Sequence, residues 1–370
     1  MLSYWEYKSW LQQVDYTIVG SGIVGINCAL ALRKKFPKAK ILILERGILP
    51  QGASTKNAGF ACFGSMSEIR DDLKSHSEEE IIDLIKKRRQ GIQQLRNLLG
   101  DEKLQFHSLG GYEAFSAKET DLYEDCLESL EAINKMLSPI FGQPVFEKKA
   151  NSFGFQNIKE TLIWNRFEGQ LDTGEMMQGL LDLALKQGIL ILNSITVTSF
   201  EENDTYVSIF TDQFNMESGH LLIATNGFAK EILNEHVVPA RAQVLITKPI
   251  KDLSVKGTFH MYKGFNYFRN VDNRLLLGGG RHLNMQAEET TSFGHTEEIR
   301  TYLLSLLEEV ILPHTDFEID QWWSGIMGVG LKKRPIVKAV GARVYCGVRL
   351  GGMGVAIGSA VGQELADLVS

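Results

Sequence analysis

Gly20-Ser21-Gly22-Ile23-Val24-Gly25 sets three glycines at the spacing of a dinucleotide-binding turn. In such a turn the first glycine permits the tight bend. The second lets backbone approach a pyrophosphate, and the third lets helix and strand pack closely. A helix opening there offers free N–H groups and a partial positive charge to phosphates. Glu45 lies 20 residues beyond Gly25. Its carboxylate suits a ribose diol and disfavours a 2′-phosphorylated nucleotide. A tight turn in an unrelated α/β fold, with a surface glutamate, is the plainer alternative. The motif alone leaves NAD and FAD open.

Other chemistries lack their residues. The eight histidines are scattered, none at the i,i+4 spacing of a helical zinc site. Cys28, Cys62, Cys126 and Cys346 form neither a CxxC pair nor a disulfide framework, so a reducing cytoplasm is the expected compartment. Met1–Gln13 has aromatic residues but no basic start followed by an apolar run, so no signal peptide is expected. The apolar stretch from Met353 to Val361 is short and broken by glycine, so no transmembrane span is expected. A net charge of −6 over 370 residues disfavours nucleic acid as a partner. A 44% hydrophobic content supports a packed core, and the length suggests two domains.

The elements that must position the motif are legible. Val14–Gly20 reads as a buried parallel strand, and Ile26–Phe36 as a helix that Pro37 stops. Lys40–Glu45 is a second strand, completing a βαβ unit. A polar, glycine-rich loop then runs from Gly47 to Gly64. Ser77 and Glu80 form a capping-box pattern that opens a helix to about Leu99. Residues 117–141 read as one amphipathic helix, and Thr173–Lys186 as another. His220–Thr225 is a buried strand. Residues 236–286 look β-rich, and the chain closes with strand Val344–Gly347 and helix Val355–Val369.

The βαβ repeat does not continue, as an NAD dehydrogenase leads one to expect. Seventeen of the 35 glycines instead fall in residues 20–64 and 325–362. That distribution fits an extended ligand, such as FAD, met by both ends of the chain.

The sequence resembles the D-amino-acid oxidase/glycine oxidase family of FAD-dependent oxidoreductases, and within it the gamma-glutamylputrescine oxidase-like subgroup. Gly20–Gly25 with Glu45-Arg46 resembles the FAD adenosine site. Gly52-Ala53-Ser54-Thr55-Lys56-Asn57-Ala58-Gly59 is similar to the loop running from pyrophosphate to flavin ring. Glu168–Asp172 resembles the mid-chain signature, and Val197 matches the position whose backbone meets adenine. Ala224-Thr225-Asn226-Gly227 is similar to the family's Ala-Thr-Gly turn, lengthened by Asn226. Tyr267–Arg269 with Asp272–Gly280 resembles a substrate-domain motif. Trp323–Gly325, Arg334-Pro335 and Gly351-Gly352-Met353-Gly354 resemble the flavin-closing segment. Two departures stand out: Met353 replaces a frequent histidine, and Arg349 occupies a position often small.

The resemblance implies an α/β fold (α+β overall), with a Rossmann-like FAD-binding domain and a mixed or antiparallel-sheet substrate domain. The expected division is residues 1–100, 160–233 and 322–370 for FAD, and 101–159 and 234–321 for substrate. It implies noncovalent FAD, since Cys346 does not match the family's attachment positions. It also implies oxidation of a C–H beside an amine nitrogen by hydride transfer to flavin N5, giving an imine that water hydrolyses. The partners are then a small amine or amino acid and an electron acceptor, oxygen or quinone. An NAD-linked dehydrogenase and a non-catalytic flavin-binding protein are the alternatives.

A helix beginning near Gly354-Val355 aims its positive end at the charge that develops on a reduced flavin. No general base is singled out. Arg269 is the expected partner of a substrate carboxylate, because a guanidinium binds one bidentately. Tyr267 and Phe265 are expected beside it as an aromatic wall. Arg349 is a second candidate and Met353 a further pocket residue; Arg281 ranks lower. Trp322 and Trp323 read as core, and Lys332 and Lys333 as a solvated loop.

Overall fold

Val14–Val19 and Ile41–Glu45 are short and almost wholly apolar, which suits strands covered on both faces. In the computed structural model, which describes residues 1–369, they are adjacent parallel strands. Val14–Val19 also pairs in parallel with Asn215–Ile223. Ile41–Glu45 pairs in parallel with Leu190–Asn193, and Val344–Val348 in parallel with Asn215–Ile223. Ile336–Ala339 closes one edge antiparallel to Val344–Val348.

Helices cover one face of this sheet. Ile23–Lys35, Thr173–Lys186 and the carboxy-terminal Gly354–Asp367 bury Ile26, Leu32, Met176, Leu180, Val361 and Leu365 in one core. The other face is covered by Val197–Glu202 and Val207–Thr211, antiparallel to one another, and by Leu11 and the turn Asn226–Glu231. The first and last elements of the chain thus lie on one sheet, with the dinucleotide turn between them.

The second sheet has eight strands and is antiparallel apart from one pair. Its order is Ile319–Val329, Val238–Thr247, Arg274–Gly279, Asn266–Val271, Thr258–Met261, Gly111–Glu113, Thr161–Asn165, Phe146–Ala150. The parallel pair is Gly111–Glu113 with Thr258–Met261. Stacked Phe259 and Phe268, with ring centroids 4.8 Å apart, sit at its core.

Three sequence expectations change here. Thr161–Asn165 and residues 322–329, expected with the FAD-binding part, pair in the second sheet. Strand periodicity carries no information on which sheet a strand joins. Residues 117–141 form two helices, Thr120–Glu128 and Leu130–Phe141, with separate buried stripes. The dinucleotide helix starts at Ile23 rather than Ile26. The capping box at Ser77 and Glu80 opens Glu78–Leu99 as expected.

Candidate active site

One cavity of about 480 Å³ runs between the two sheets. At its first end the turn after Val14–Val19 brings Gly20 and Gly22 to the wall. Gly25 does not line it. A Cβ there would lie 1.9 Å from the Gly20 carbonyl oxygen, so its role is close helix–strand packing. Ser21 is fully buried behind the wall. Its N–H and Oγ donate to Glu45 Oε2 at 2.9 and 2.8 Å, while Gly47 N–H donates to Oε1 at 3.0 Å. These bonds fix the Glu45 carboxylate where it meets the cavity. Ile23, Val24 and Val197 are apolar wall around it. Arg46 lies 3.6 Å from the Phe228 ring centroid and pairs with Glu231 at 3.2 Å.

The loop at 52–59 spends its polar side chains on protein partners, inside the loop and beside it. Ser54 Oγ accepts from Ile23 N–H at 3.0 Å, capping the dinucleotide helix. The Asn57 amide donates to the Ser54 carbonyl at 2.8 Å and accepts from Gly59 N–H at 2.8 Å. Asn57 therefore shapes the loop. Ala53, Ser54, Lys56, Asn57 and Ala58 line the cavity; Gly59 does not. Lys56 Nζ stands 5.4 Å from the Phe293 centroid.

The carboxy-terminal loop closes the middle of the cavity. Gly351, Gly352, Met353, Gly354 and Val355 all line it, and the final helix starts at Gly354. A Cβ at Gly351 would meet nothing within 4 Å, and one at Gly352 only the Met327 sulfur at 3.9 Å. The loop therefore faces open space. Thr225, Asn226 and Gly227 line the cavity beside this loop. Thr225 Oγ1 is buried without a partner, and Asn226 Oδ1 accepts from Leu350 N–H at 3.0 Å.

Over residues 15–368 the chain matches the family model described as DAO, FAD dependent oxidoreductase. The chain belongs to the DAO family. The probable oxidoreductase OrdL of Haemophilus influenzae is 20% identical over 97% of this chain and 83% of that protein. Among solved structures, L-proline dehydrogenase from P. horikoshii superposes with a TM-score of 0.75 at 16% identity, covering 97% of this chain and 94% of the other. Glycine oxidase from Geobacillus kaustophilus gives 0.75 at 17% identity, covering 96% and 94%. Family membership decides what the glycine motif leaves open: this DAO-family chain is an FAD-dependent oxidoreductase.

The residues present fit that cofactor. An oriented carboxylate, a capped helix amino terminus, the unpartnered Thr225 hydroxyl and a glycine-rich loop lie along one cleft.

The substrate-side expectations fare unevenly. Arg269 does not line the cavity and is 5% exposed. Its Nε donates to the Ala58 carbonyl and its Nη2 to the Leu171 carbonyl at 2.9 Å. Burial pushes its pKa down to about 10. It clamps the 52–59 loop to the Glu168–Asp172 segment, away from the cavity wall where a carboxylate-binding role was expected for it. Arg349 reaches the wall, but its guanidinium is tied to the Arg334 carbonyl at 3.1 and 3.2 Å and to that of His236 at 3.3 Å. Tyr267 lines the cavity, and burial raises its phenol to about 12. Met353 also lines it, its sulfur 3.4 Å from Cys62 Sγ. Trp322 packs in the second sheet's core, and Trp323 Nε1 donates to the Lys56 carbonyl at 3.0 Å. Lys332 and Lys333 are exposed, as expected of a solvated loop, at the rim of the cavity, and Lys333 pairs with Asp72 at 2.7 Å.

Arg88, Arg349 and Arg281 face the cavity with no acidic partner among the described residues, but Arg88 and Arg349 are tied to backbone carbonyls, whereas Arg281 donates only to the Met285 sulfur, at 3.1 Å. It lies 5.1 Å from the Phe265 centroid, and burial lowers its pKa. Sequence reasoning also missed Phe60, Cys62, Glu68 and His260, all in the wall. No motif spacing marks them: Phe60 and Cys62 come from one short stretch, Glu68 from the helix Met66–Asp72 and His260 from the strand Thr258–Met261.

Proposed function

We propose that this chain oxidises the carbon–nitrogen bond of a small amine that carries a carboxylate, an amino acid being the simplest case. The observation that carries the reading is Arg281. It is a half-buried guanidinium without an acidic partner, beside Tyr267, in the wall of the cavity that also meets Glu45 and the Gly351–Gly354 loop. A desolvated guanidinium without a counter-ion is costly, and a bidentate carboxylate satisfies both its charge and its fork of donors. A hydride leaves the carbon beside the substrate nitrogen for flavin N5, and water hydrolyses the resulting imine; that redox chemistry is the cofactor's. The chain's share is to orient the substrate between Arg281 and Tyr267 and to keep the ring end dry with Phe60, Phe265 and Met353.

The same reading keeps FAD noncovalent, the Cys346 side chain being buried in the first sheet. It takes oxygen or a quinone as acceptor and a reducing cytoplasm as compartment, in keeping with four free, buried cysteines. No helix among the described residues is long and apolar enough to cross a membrane. The subgroup resemblance adds gamma-glutamyl derivatives of diamines, which also carry a carboxylate, to the substrates to be tried.

The test is anaerobic bleaching of the bound flavin by a panel of D- and L-amino acids, glycine, sarcosine, proline and gamma-glutamyl polyamines. At least one carboxylate-bearing amine should reduce the flavin, and its decarboxylated counterpart should do so far more slowly. Equal reduction by both removes Arg281 from the reading.

A further inference from the structure

Four acidic residues line the cavity: Glu45, Glu68, Asp71 and Glu231. Three are satisfied by the protein. Glu45 holds the N–H groups of Ser21 and Gly47, Asp71 pairs with Lys263 at 3.1 Å, and Glu231 pairs with Arg46 at 3.2 Å. Glu68 has no cationic partner among the described residues. Its Oε2 accepts the Ser65 N–H at 3.1 Å in the capping box that starts the helix Met66–Asp72. That bond fixes the carboxylate and leaves Oε1 without a donor.

The room for this carboxylate is built into the fold. It lies flat against Gly264, where a Cβ would sit 3.1–3.3 Å from its carbon and both oxygens, and where φ is +77°. The next residue, Phe265, carries Arg281 on its ring at 5.1 Å. The cavity's unpaired anion and the half-buried Arg281 guanidinium are thus set along one turn, Gly264–Phe265. Both belong to the part of the wall that holds Phe60, Cys62 and Met353, and Met353 belongs to the loop facing the flavin site.

The groups around Glu68 do not neutralise it. Burial raises the carboxyls of Glu113 to about 7 and Glu168 to about 8, raises the Cys62 thiol, and lowers the imidazole of His260. In each of the four, burial disfavours the charged form. Arg88 gives its Nη1 to the Phe63 carbonyl, and Lys263 is taken by Asp71. A carboxylate so placed, with no cation to face, awaits one from the ligand.

Resting on the amine-oxidation reading above, we propose that Glu68 binds the substrate's ammonium group and takes one of its protons. The N–H bond breaks and an O–H bond forms on the Glu68 carboxylate, with the electron pair staying on nitrogen. No electrons leave the substrate in this step. Its product is the neutral amine, the form that can release a hydride from the adjacent carbon. The partner charge, Arg281, holds the carboxylate end.

Glu68→Gln is the discriminating variant, because a glutamine oxygen still accepts the Ser65 N–H and preserves the cap. Anaerobic flavin reduction by the best amine of the panel is followed against pH in the wild type and E68Q. At mildly acidic pH E68Q should be slower by at least about tenfold, its profile displaced upward by about one pH unit or more towards the free amine's own pKa. At alkaline pH, where the amine is already neutral, its rate should return to within about threefold of wild type. A uniform loss at every pH, or an unchanged profile, overturns the proposal.

Binding is read separately, from perturbation of the flavin spectrum. The probes are glycine betaine and 3,3-dimethylbutanoate, the isosteric carboxylate with a neutral carbon in place of the ammonium nitrogen. Wild type should prefer the ammonium-bearing probe by about tenfold and E68Q should lose that preference. No preference in the wild type overturns the role of Glu68. A preference without flavin reduction by any amine would instead defeat the amine-oxidation reading.

Discussion

Arg269 Nη2 donates to the Leu171 carbonyl at 2.9 Å, joining the second sheet to the segment that leads into the Thr173–Lys186 helix. The same guanidinium holds the Ala58 carbonyl through Nε, so one buried side chain ties together three distant stretches of chain. An arginine in this position sets the shape of the flavin-side loop, and its Nε and Nη2 are spent on backbone carbonyls.

Arg269→Met should therefore destabilise the protein and loosen the flavin. Two buried carbonyls lose their donor, at about 1–3 kcal/mol each. A lower melting temperature and a lower flavin-to-protein absorbance ratio are expected in purified protein. Unchanged stability with a raised KM for carboxylate substrates would return Arg269 to the substrate site.

Arg281→Ala should behave in the opposite way. Its side chain makes no ion pair, so the melting temperature should hardly move. The KM of a carboxylate-bearing substrate should rise at least about tenfold, the scale of a lost charge-assisted hydrogen bond. Arg281→Lys should recover only part of the loss, because an ammonium lacks the planar fork. Steady-state kinetics beside a thermal melt separates the two arginines.

Two glycines should respond to alanine for different reasons. Gly25→Ala puts a Cβ against the Gly20 carbonyl oxygen, so it should destabilise even the flavin-free protein. Gly352→Ala meets only the Met327 sulfur at 3.9 Å, so the apoprotein should melt as wild type does. The added methyl points at the flavin side, and flavin titration of apoprotein should show affinity reduced by about tenfold or more. Equal flavin affinity would mean that the loop does not face the ring.

The buried acids Glu113 and Glu168 should tilt stability with pH. Burial is the main cause of their raised values, about 7 and about 8, above the ordinary 4.5. A raised folded value means that the native state binds the proton more tightly than the unfolded chain. The stabilisation is full below pH 4.5 and is lost as pH rises through 7 and 8. Melting temperature should fall over that window in the wild type. Glu113→Gln with Glu168→Gln should flatten the fall, since glutamine does not titrate. A parallel fall in both proteins would assign the slope to other groups.

The sequence by itself determined the dinucleotide half. Gly20, Gly22, Gly25 and Glu45 lie within one βαβ unit, where local steric needs dictate residue type at fixed spacing. The helix cap at Ser77, the Thr173–Lys186 helix and the two glycine-rich ends were legible for the same reason: each is a local backbone requirement. The substrate half was not legible in this way. Arg269, Arg281 and Arg349 are the same residue type on comparable stretches, and nothing local says which guanidinium is spent on carbonyls. That is decided when the second sheet carries Arg269 onto Ala58 and Leu171 while the turn after Gly280 leaves Arg281 facing the cavity. Glu68 carries no signal in sequence and becomes a cavity wall only because Gly264, nearly 200 residues later, lets it approach. Charge pairing is a property of three-dimensional neighbours, and only the tertiary structure supplies those.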